Sequence, residues 1–514
     1  MKKSLKKLAA KLLRRDNLVL LGIILLSFFL RFYKVQELFV FSGDEEHQMS
    51  LAWSIVKNFH IEWVGVSSAD TGFYLGPFWI YFGAWWLFLS NGDPLILAYI
   101  APGIGVVTTL LIYFIAKKMF NQRVAVVSSF LYAILPILVF FDKKFWNPSL
   151  TSLTAVILLF SVYWARRKKI LWVLVAAVYG FAFHVHLSLV PLGAVLLYCL
   201  YQDRKKLNLA IISLGLVSFL LMLSPMIAFD YFTKGQNITT PFRVAGQVKD
   251  RPTRFEPIRH IKQLSISISR LFYLDPGVPV SDEVLHDCSL DYTKASQHTP
   301  GITTQATRPK ILLSVVGILP LIFFFCRKLT WQDDNKKILA LFIAMITFFY
   351  ILLPNIPLEY YLLGFFPYYL MVLGIVVSEI LKKQKLILVL LLLVIGILGT
   401  KTVLTAKDDY GLLTKKTLIE QVDHYLGVNS FDLDARGLCH RFEGWRFLFR
   451  VYGHTPNQSF TDEGLGWIYK DEIVRQPARY LVLITEDRLP GDEIGEDYVF
   501  SFTQGGFTAY VYEN

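Results

Sequence analysis

Charge is scarce in this chain. Lys, Arg, Asp and Glu make up 18% of 514 residues, against 54% hydrophobic residues. A soluble chain of this length would divide into two or three water-coated domains. Here apolar runs of membrane-spanning length recur instead, such as "NLVLLGIILLSFFLRFY" (17–33) and "ILALFIAMITFFYILL" (338–353), so the composition implies a polytopic membrane protein. Cysteine is scarcer still. Cys199, Cys288, Cys326 and Cys439 have no metal-type spacing, and a Cys288–Cys439 disulfide is left open. No small-x-small site follows the first apolar run, which ends in Arg31 and Lys34, and this argues against a cleaved signal peptide. No internal repeat or low-complexity tract is visible.

Acidic residues are also unevenly spread. Residues 402–514 hold 11 Lys+Arg against 18 Asp+Glu, a net charge of −7, which leaves +19 on the first 401 residues. Those basic residues sit in short clusters between apolar runs: "KKMFNQR" (117–123), "RRKK" (166–169), "QDRKK" (202–206) and "KKQK" (382–385). That is the signature of membrane topology, and no nucleic-acid partner is expected. Keeping every cluster on the cytoplasmic side gives about eleven crossings, within an all-α fold of about 11–13 membrane helices. The N-terminus lies inside the plasma membrane and the C-terminus outside. The aromatic run 76–90 then does not fully cross, because a crossing there would put "KKMFNQR" outside, and it reads as interfacial or re-entrant. Residues 170–201 must hold two short crossings. The segment 255–274 reads as an amphipathic helix in the headgroup plane. The expected domains are a membrane catalytic region, 1–400, with external loops 34–76 and 230–309, and a small external α/β domain, 401–514. In the latter, 479–485 and 507–514 read as strands and 414–427 as a helix.

This topology brings three polar motifs to the external face. "GDEE" (43–46) opens a helix; Ser42 or Asp44 suits its N-cap, and Glu45 and Glu46 suit its dipole. An acid fixed there could also serve as a base, a charge stabiliser or a metal ligand. "DKKFWNPS" (142–149) reads as an Asn-Pro turn with Trp146 as interface anchor, or as a site in which Asp142 is a second acid and Lys143 and Lys144 hold a lipid phosphate. "HVH" (184–186) places His184 and His186 at membrane depth, where ionisable groups tend to be functional, although i,i+2 is a weak zinc spacing. Arg251, Arg254, Arg259 and Arg270 suit either interface anchoring or recognition of an anionic headgroup or diphosphate.

The order of these parts resembles the GT-C glycosyltransferases, in the branch of the protein O-mannosyltransferases and the lipid A aminoarabinose transferase. The resemblance rests on the "DE" loop, the Pro-aromatic run "GPFWIYF" (76–82), the motif at 142–149 and "EYYLLGFFPYYLMVLG" (359–374). It implies a polyprenyl-phosphate sugar donor entering from the bilayer and a protein, lipid or glycan acceptor outside. Asp44 then matches the first-loop acid and acts as base, assisted by Glu45 or Asp142, with inversion at the anomeric carbon. Lys143, Lys144 and Arg259 would hold the departing phosphate. Trp146, Asn147, His184, His186, Tyr360 and Tyr361 would contact substrate, and a divalent metal on Asp44 and Asp142 is an option. Asn147 stands where relatives carry an acid, and "YLGP" (74–77) lacks the acid found there in others. A transporter or flippase, and a non-catalytic membrane scaffold, are the rival readings. The topology has a direct check: a cysteine introduced at Gly43 should react with an impermeant reagent from outside, and one at Asn121 should not.

Overall fold

A computed structural model describes residues 15–39, 41–67, 72–247, 257–273, 311–353, 359–437, 440–486, 495 and 497–514. Arg251, Arg254, Cys288 and Cys439 lie outside the described residues, so the disulfide left open above does too. The chain opens with α1 (Arg15–Phe32), α2 (Gly43–Lys57), α3 (Phe78–Leu89) and α4 (Leu95–Met119). At about 1.5 Å per residue, α3 is roughly 18 Å long, short of the ~30 Å hydrocarbon layer. It packs one face on α2, where Gly83 lies against Met49, and leaves Trp85 and Phe88 exposed.

The apolar run 124–141 is broken. It forms α5 (Gln122–Ile134) and α6 (Pro136–Phe141), because Leu135 precedes a proline and takes an extended ψ of 121°. Next come α7 (Thr151–Ala165), α8 (Trp172–Ala182), α9 (Leu192–Asp203) and α10 (Leu209–Phe232). The 32-residue interval thus does yield two short helices, which meet at the turn carrying His184 and His186. They are followed by α11 (Gln236–Gln247), α12 (Pro257–Phe272), α13 (Ile311–Cys326), α14 (Lys328–Gln332), α15 (Asp334–Leu352), α16 (Phe365–Ile380) and α17 (Lys385–Thr405). Among the described residues, five helices are long and apolar enough to cross a membrane, and six shorter helices are apolar. The chain is an integral membrane protein. α16 is buried on nearly all sides from Phe365 to Val376, which explains its unbroken apolar run: it is the central helix of the bundle. α12 departs from the expected surface position. Its first half exposes Ile258 and Ile261, but Ser267–Leu271 are buried against α13 and α15.

The C-terminal part is α/β. After α18 (Leu412–Leu426) come β1 (Phe431–Arg436), α19 (Trp445–Tyr452), β2 (Tyr480–Glu486), β3 (Phe500–Gln504) and β4 (Phe507–Glu513). The sheet order is β1-β2-β4-β3, with β1 parallel to β2 and the other pairs antiparallel.

One buried ion pair fixes the bundle end from which the "DKKFWNPS" turn projects. Arg31, fully buried, donates from Nε to Asp142 Oδ2 at 2.8 Å. Its remaining donors go to Ser27 Oγ (2.9 Å), Ala133 O (3.0 Å) and Tyr132 O (2.9 Å). These are the last carbonyls of α5 that its break at Pro136 leaves open. An arginine in an apolar helix is tolerated only with such partners. The pair also requires Gly105 on α4, because a Cβ there would come within 2.3 Å of Asp142 Oδ2. Asp142→Leu should cost about 3 kcal/mol or more, since it leaves a buried guanidinium unpaired. Arg31→Met combined with Asp142→Leu should recover much of that loss, as read by thermal unfolding in detergent.

Candidate active site

The three acids of "GDEE" point in three directions, because successive helical residues are ~100° apart. Asp44 is exposed. Glu45, at the third helical position, turns back and accepts from Ser42 N (2.9 Å) and Ser42 Oγ (2.7 Å), satisfying the start of α2. Its other oxygen faces Lys144 Nζ at 3.5 Å, with both side chains fully buried. Burial raises the Glu45 pKa, the Lys144 charge opposes the rise and the neighbouring Asp44 adds to it. Glu46 turns to the C-terminal domain, where Oε1 accepts from Phe447 N (3.1 Å) and Tyr469 Oη (3.4 Å).

From Lys144 a line of aromatic contacts runs across the bundle end. Lys144 Nζ lies 4.6 Å from the Trp146 ring centroid, and Trp146 lies 4.8 Å from Tyr360. Tyr360 and Tyr361 in turn pack on His186, at 5.7 and 5.3 Å. Asn147 Nδ2 donates to Val185 O at 2.9 Å and ties the turn to the "HVH" loop. The structure therefore brings Glu45, Lys144, Trp146, Asn147, His186, Tyr360 and Tyr361 into one cluster, with Asp44 exposed beside Glu45.

The remaining candidates stand apart. Asp142 is taken up by Arg31. Lys143 is parted from its neighbour: Nζ donates to Arg31 O (2.8 Å) and Tyr33 O (2.6 Å), closing the C-terminal end of α1. His184 bonds through Nε2 to Met222 O at 2.6 Å and fills the space left by Gly76. Arg259 is exposed on α12. Arg270 lies 3.5 Å from Glu359, a buried pair at the edge of the tyrosine motif that sequence reasoning did not assemble. Lys144→Glu45 likewise crosses 99 residues, a distance no local pattern signals. A metal shared by Asp44 and Asp142 does not fit these residues, because a cation at Asp142 would face the Arg31 guanidinium. Among the described residues no group of three or more His, Cys, Asp or Glu is placed to hold a metal ion.

Beside the "HVH" loop, α8, α9 and α10 enclose an apolar groove of about 680 Å³, lined by Trp172, Tyr179, Pro191, Leu197, Phe219 and neighbours.

The oligosaccharyltransferase of Archaeoglobus fulgidus, in a structure with Zn and sulfate, superposes with a TM-score of 0.51 at 14% identity, over 90% of this chain and 67% of that one. This is the GT-C fold. The same archaeal enzyme, AglB, bound to an inhibitory peptide and a dolichol-phosphate, matches equally, at 14% identity and a TM-score of 0.51 over 91% and 69% of the two chains. ArnT from Cupriavidus metallidurans, bound to undecaprenyl phosphate, is 13% identical with a TM-score of 0.44 over 96% and 97%. Residues 75–229 match the family described as "Dolichyl-phosphate-mannose-protein mannosyltransferase". That stretch runs from the Pro-aromatic run through "DKKFWNPS" and "HVH" to α10. No curated protein matches the chain.

Glu46 supplies a pH test of how α2 docks on the C-terminal domain. Burial pushes its pKa up to about 7, against the bonds from Phe447 and Tyr469 and the charges of Arg446 and Arg450. A carboxyl whose folded pKa exceeds its ordinary value binds its proton more tightly when folded. Its contribution is therefore complete below about pH 4.5 and lost as pH rises through about 7. Glu46→Gln should raise Tm by several degrees at pH 8.5 and leave it nearly unchanged at pH 4.5.

Proposed function

We propose that the chain is an integral-membrane glycosyltransferase. It moves a sugar from a polyprenyl-phosphate donor to an acceptor on the extracytoplasmic side, with its N-terminus cytoplasmic. The observation that carries this reading is an exposed carboxylate, Asp44, in the first turn of α2 in a GT-C fold, beside the buried Glu45–Lys144 pair. The dolichol-phosphate held by the archaeal enzyme and the mannosyltransferase family matched by residues 75–229 support a lipid-phosphate donor. The apolar groove, whose lining reaches Val190, four residues from His186, suits part of an isoprenoid tail.

In this reading Asp44 takes the proton of the acceptor hydroxyl as its oxygen attacks the anomeric carbon. The bond from that carbon to the phosphate oxygen breaks with its electrons on the phosphate, and the configuration inverts. Proton transfer to a positioned base is worth about 10²–10⁴-fold in such steps. Arg259, exposed on α12, is assigned to the developing phosphate charge, because Lys143 is spent on two backbone carbonyls and Lys144 is buried against Glu45. Trp146, His186, Tyr360 and Tyr361 form the wall facing the sugar. The archaeal relative's structure contains Zn.

Purified protein offered a panel of polyprenyl-phosphate sugars should turn over at least one donor. Asp44→Asn should lower kcat at least 100-fold on that donor. Full activity in Asp44→Asn would sink the base assignment, and no turnover of any donor would favour a transporter or scaffold.

A further inference from the structure

Asp44 lies in the first turn of α2, and the contacts that hold the short segment leading into that turn come largely from the far end of the chain. Leu412 N donates to Phe39 O at 2.9 Å, and Gly43 N donates to Phe442 O at 2.7 Å. The fully buried Lys415, on α18, donates through Nζ to Phe41 O at 2.6 Å, and its other partners are the Glu443 carboxylate and, at 3.4 Å, the Glu443 carbonyl. An ammonium has three protons and here meets three acceptors, so nothing about its burial is left uncompensated. Glu443 is held in turn: its other carboxylate oxygen lies 2.9 Å from His440 Nδ1, and the His440 ring stacks on Tyr410 at 3.7 Å. His440 N donates to Glu486 Oε2 at 3.0 Å, which connects the cluster to the end of β2.

The approach of the two segments is close. Gly444 has φ +77°, and a Cβ there would lie 2.6 Å from the Phe41 ring. The Phe41 and Phe447 rings pack at 5.5 Å, and Glu46 receives the Phe447 N–H in the first turn of α19. The carbonyl that Lys415 grips belongs to the residue just before the N-cap Ser42, and so three residues before Asp44. A buried charged hydrogen bond at that point fixes the backbone on which the acid is carried, at the precision that orientation of a reacting group demands.

We propose that Lys415 and Glu443 of the C-terminal domain are positioning residues for Asp44, so that the domain forms part of the transfer machinery. This rests on the reading of Asp44 as the base. Lys415 does not touch substrate. It acts by holding Phe41, and Glu443 acts by holding Lys415.

The test uses the full-length protein in detergent. Lys415→Met alone would strand the Glu443 carboxylate and endanger folding, so it is paired with Glu443→Gln, which removes both charges together. Gly444→Ala attacks the same contact without touching either charge. Hydrogen exchange at the amides of residues 41–46 should quicken at least tenfold in both variants, while exchange in α16 stays as in the parent. With the donor found active, kcat should fall at least tenfold and KM for the donor should stay within twofold. Unchanged exchange at 41–46 would overturn the proposal. So would faster exchange with unchanged kcat, or a raised KM with kcat preserved, since neither describes positioning of the reacting acid. Exchange is read without any donor. If the unmodified protein transfers no sugar, the assignment of Asp44 as base fails, while exchange still decides whether Lys415 holds the loop.

Discussion

An arginine buried in an apolar helix must be paid in counter-charge and hydrogen bonds, and much of the architecture around the candidate site follows from how Arg31 obtains them. Its guanidinium gathers Asp142, the open carbonyls at the end of α5 and Ser27 of its own helix. That places the break at Pro136 and the turn after it. Lys143 then closes the last turn of α1, which leaves Lys144 to reach Glu45 and Trp146 to reach Tyr360. A small glycine on α4, Gly105, provides the room. The polar cluster is thus hung on an ion pair that takes no part in it.

The acidic motif joins two bodies of different make. Glu45 faces the helical bundle, Glu46 faces the α/β domain, and Asp44 stays in the open between them. Capping and chemistry do not compete here, because Glu45 turns back to cap the helix while the acid one position earlier is left exposed. The cost of burying Glu45 is partly offset by Lys144, and that of Glu46 by two donors from the C-terminal domain.

Much of the fold was legible because the bilayer imposes long apolar runs and basic clusters on the sequence. Short helices over 170–201, the truncated α3 and the helix and two strands of the C-terminal domain followed from length and periodicity. β1 and β3 did not: β1 carries a clear alternation of Phe431, Leu433 and Ala435, but polar Asp432 and Asp434 mask it in a composition-led reading. The site was legible as a set of residue types and not as a set of partners. Asp142, Lys143 and Lys144 look equivalent in sequence, yet one pairs with Arg31, one closes a helix and one meets Glu45. Partners 99 to 112 residues away decide which does which. Arg31 itself was visible as a charge at the end of an apolar run, and the need to pair it was the available clue to the role of Asp142.

The bond from Lys415 to Phe41 spans 374 residues of chain. Polypeptides grow at about 5–20 residues per second, so Phe41 is synthesised roughly 20 to 75 seconds before the lysine that will hold it. Throughout that interval the acidic loop exists without its clamp, even when the first helices have already been inserted. A chain cut short between Thr405 and Lys415 would own every described membrane helix and every residue of the polar cluster, and still carry its exposed carboxylate on an unanchored helix start. The site is assembled, in this molecule, only once residues beyond the last membrane helix have been made.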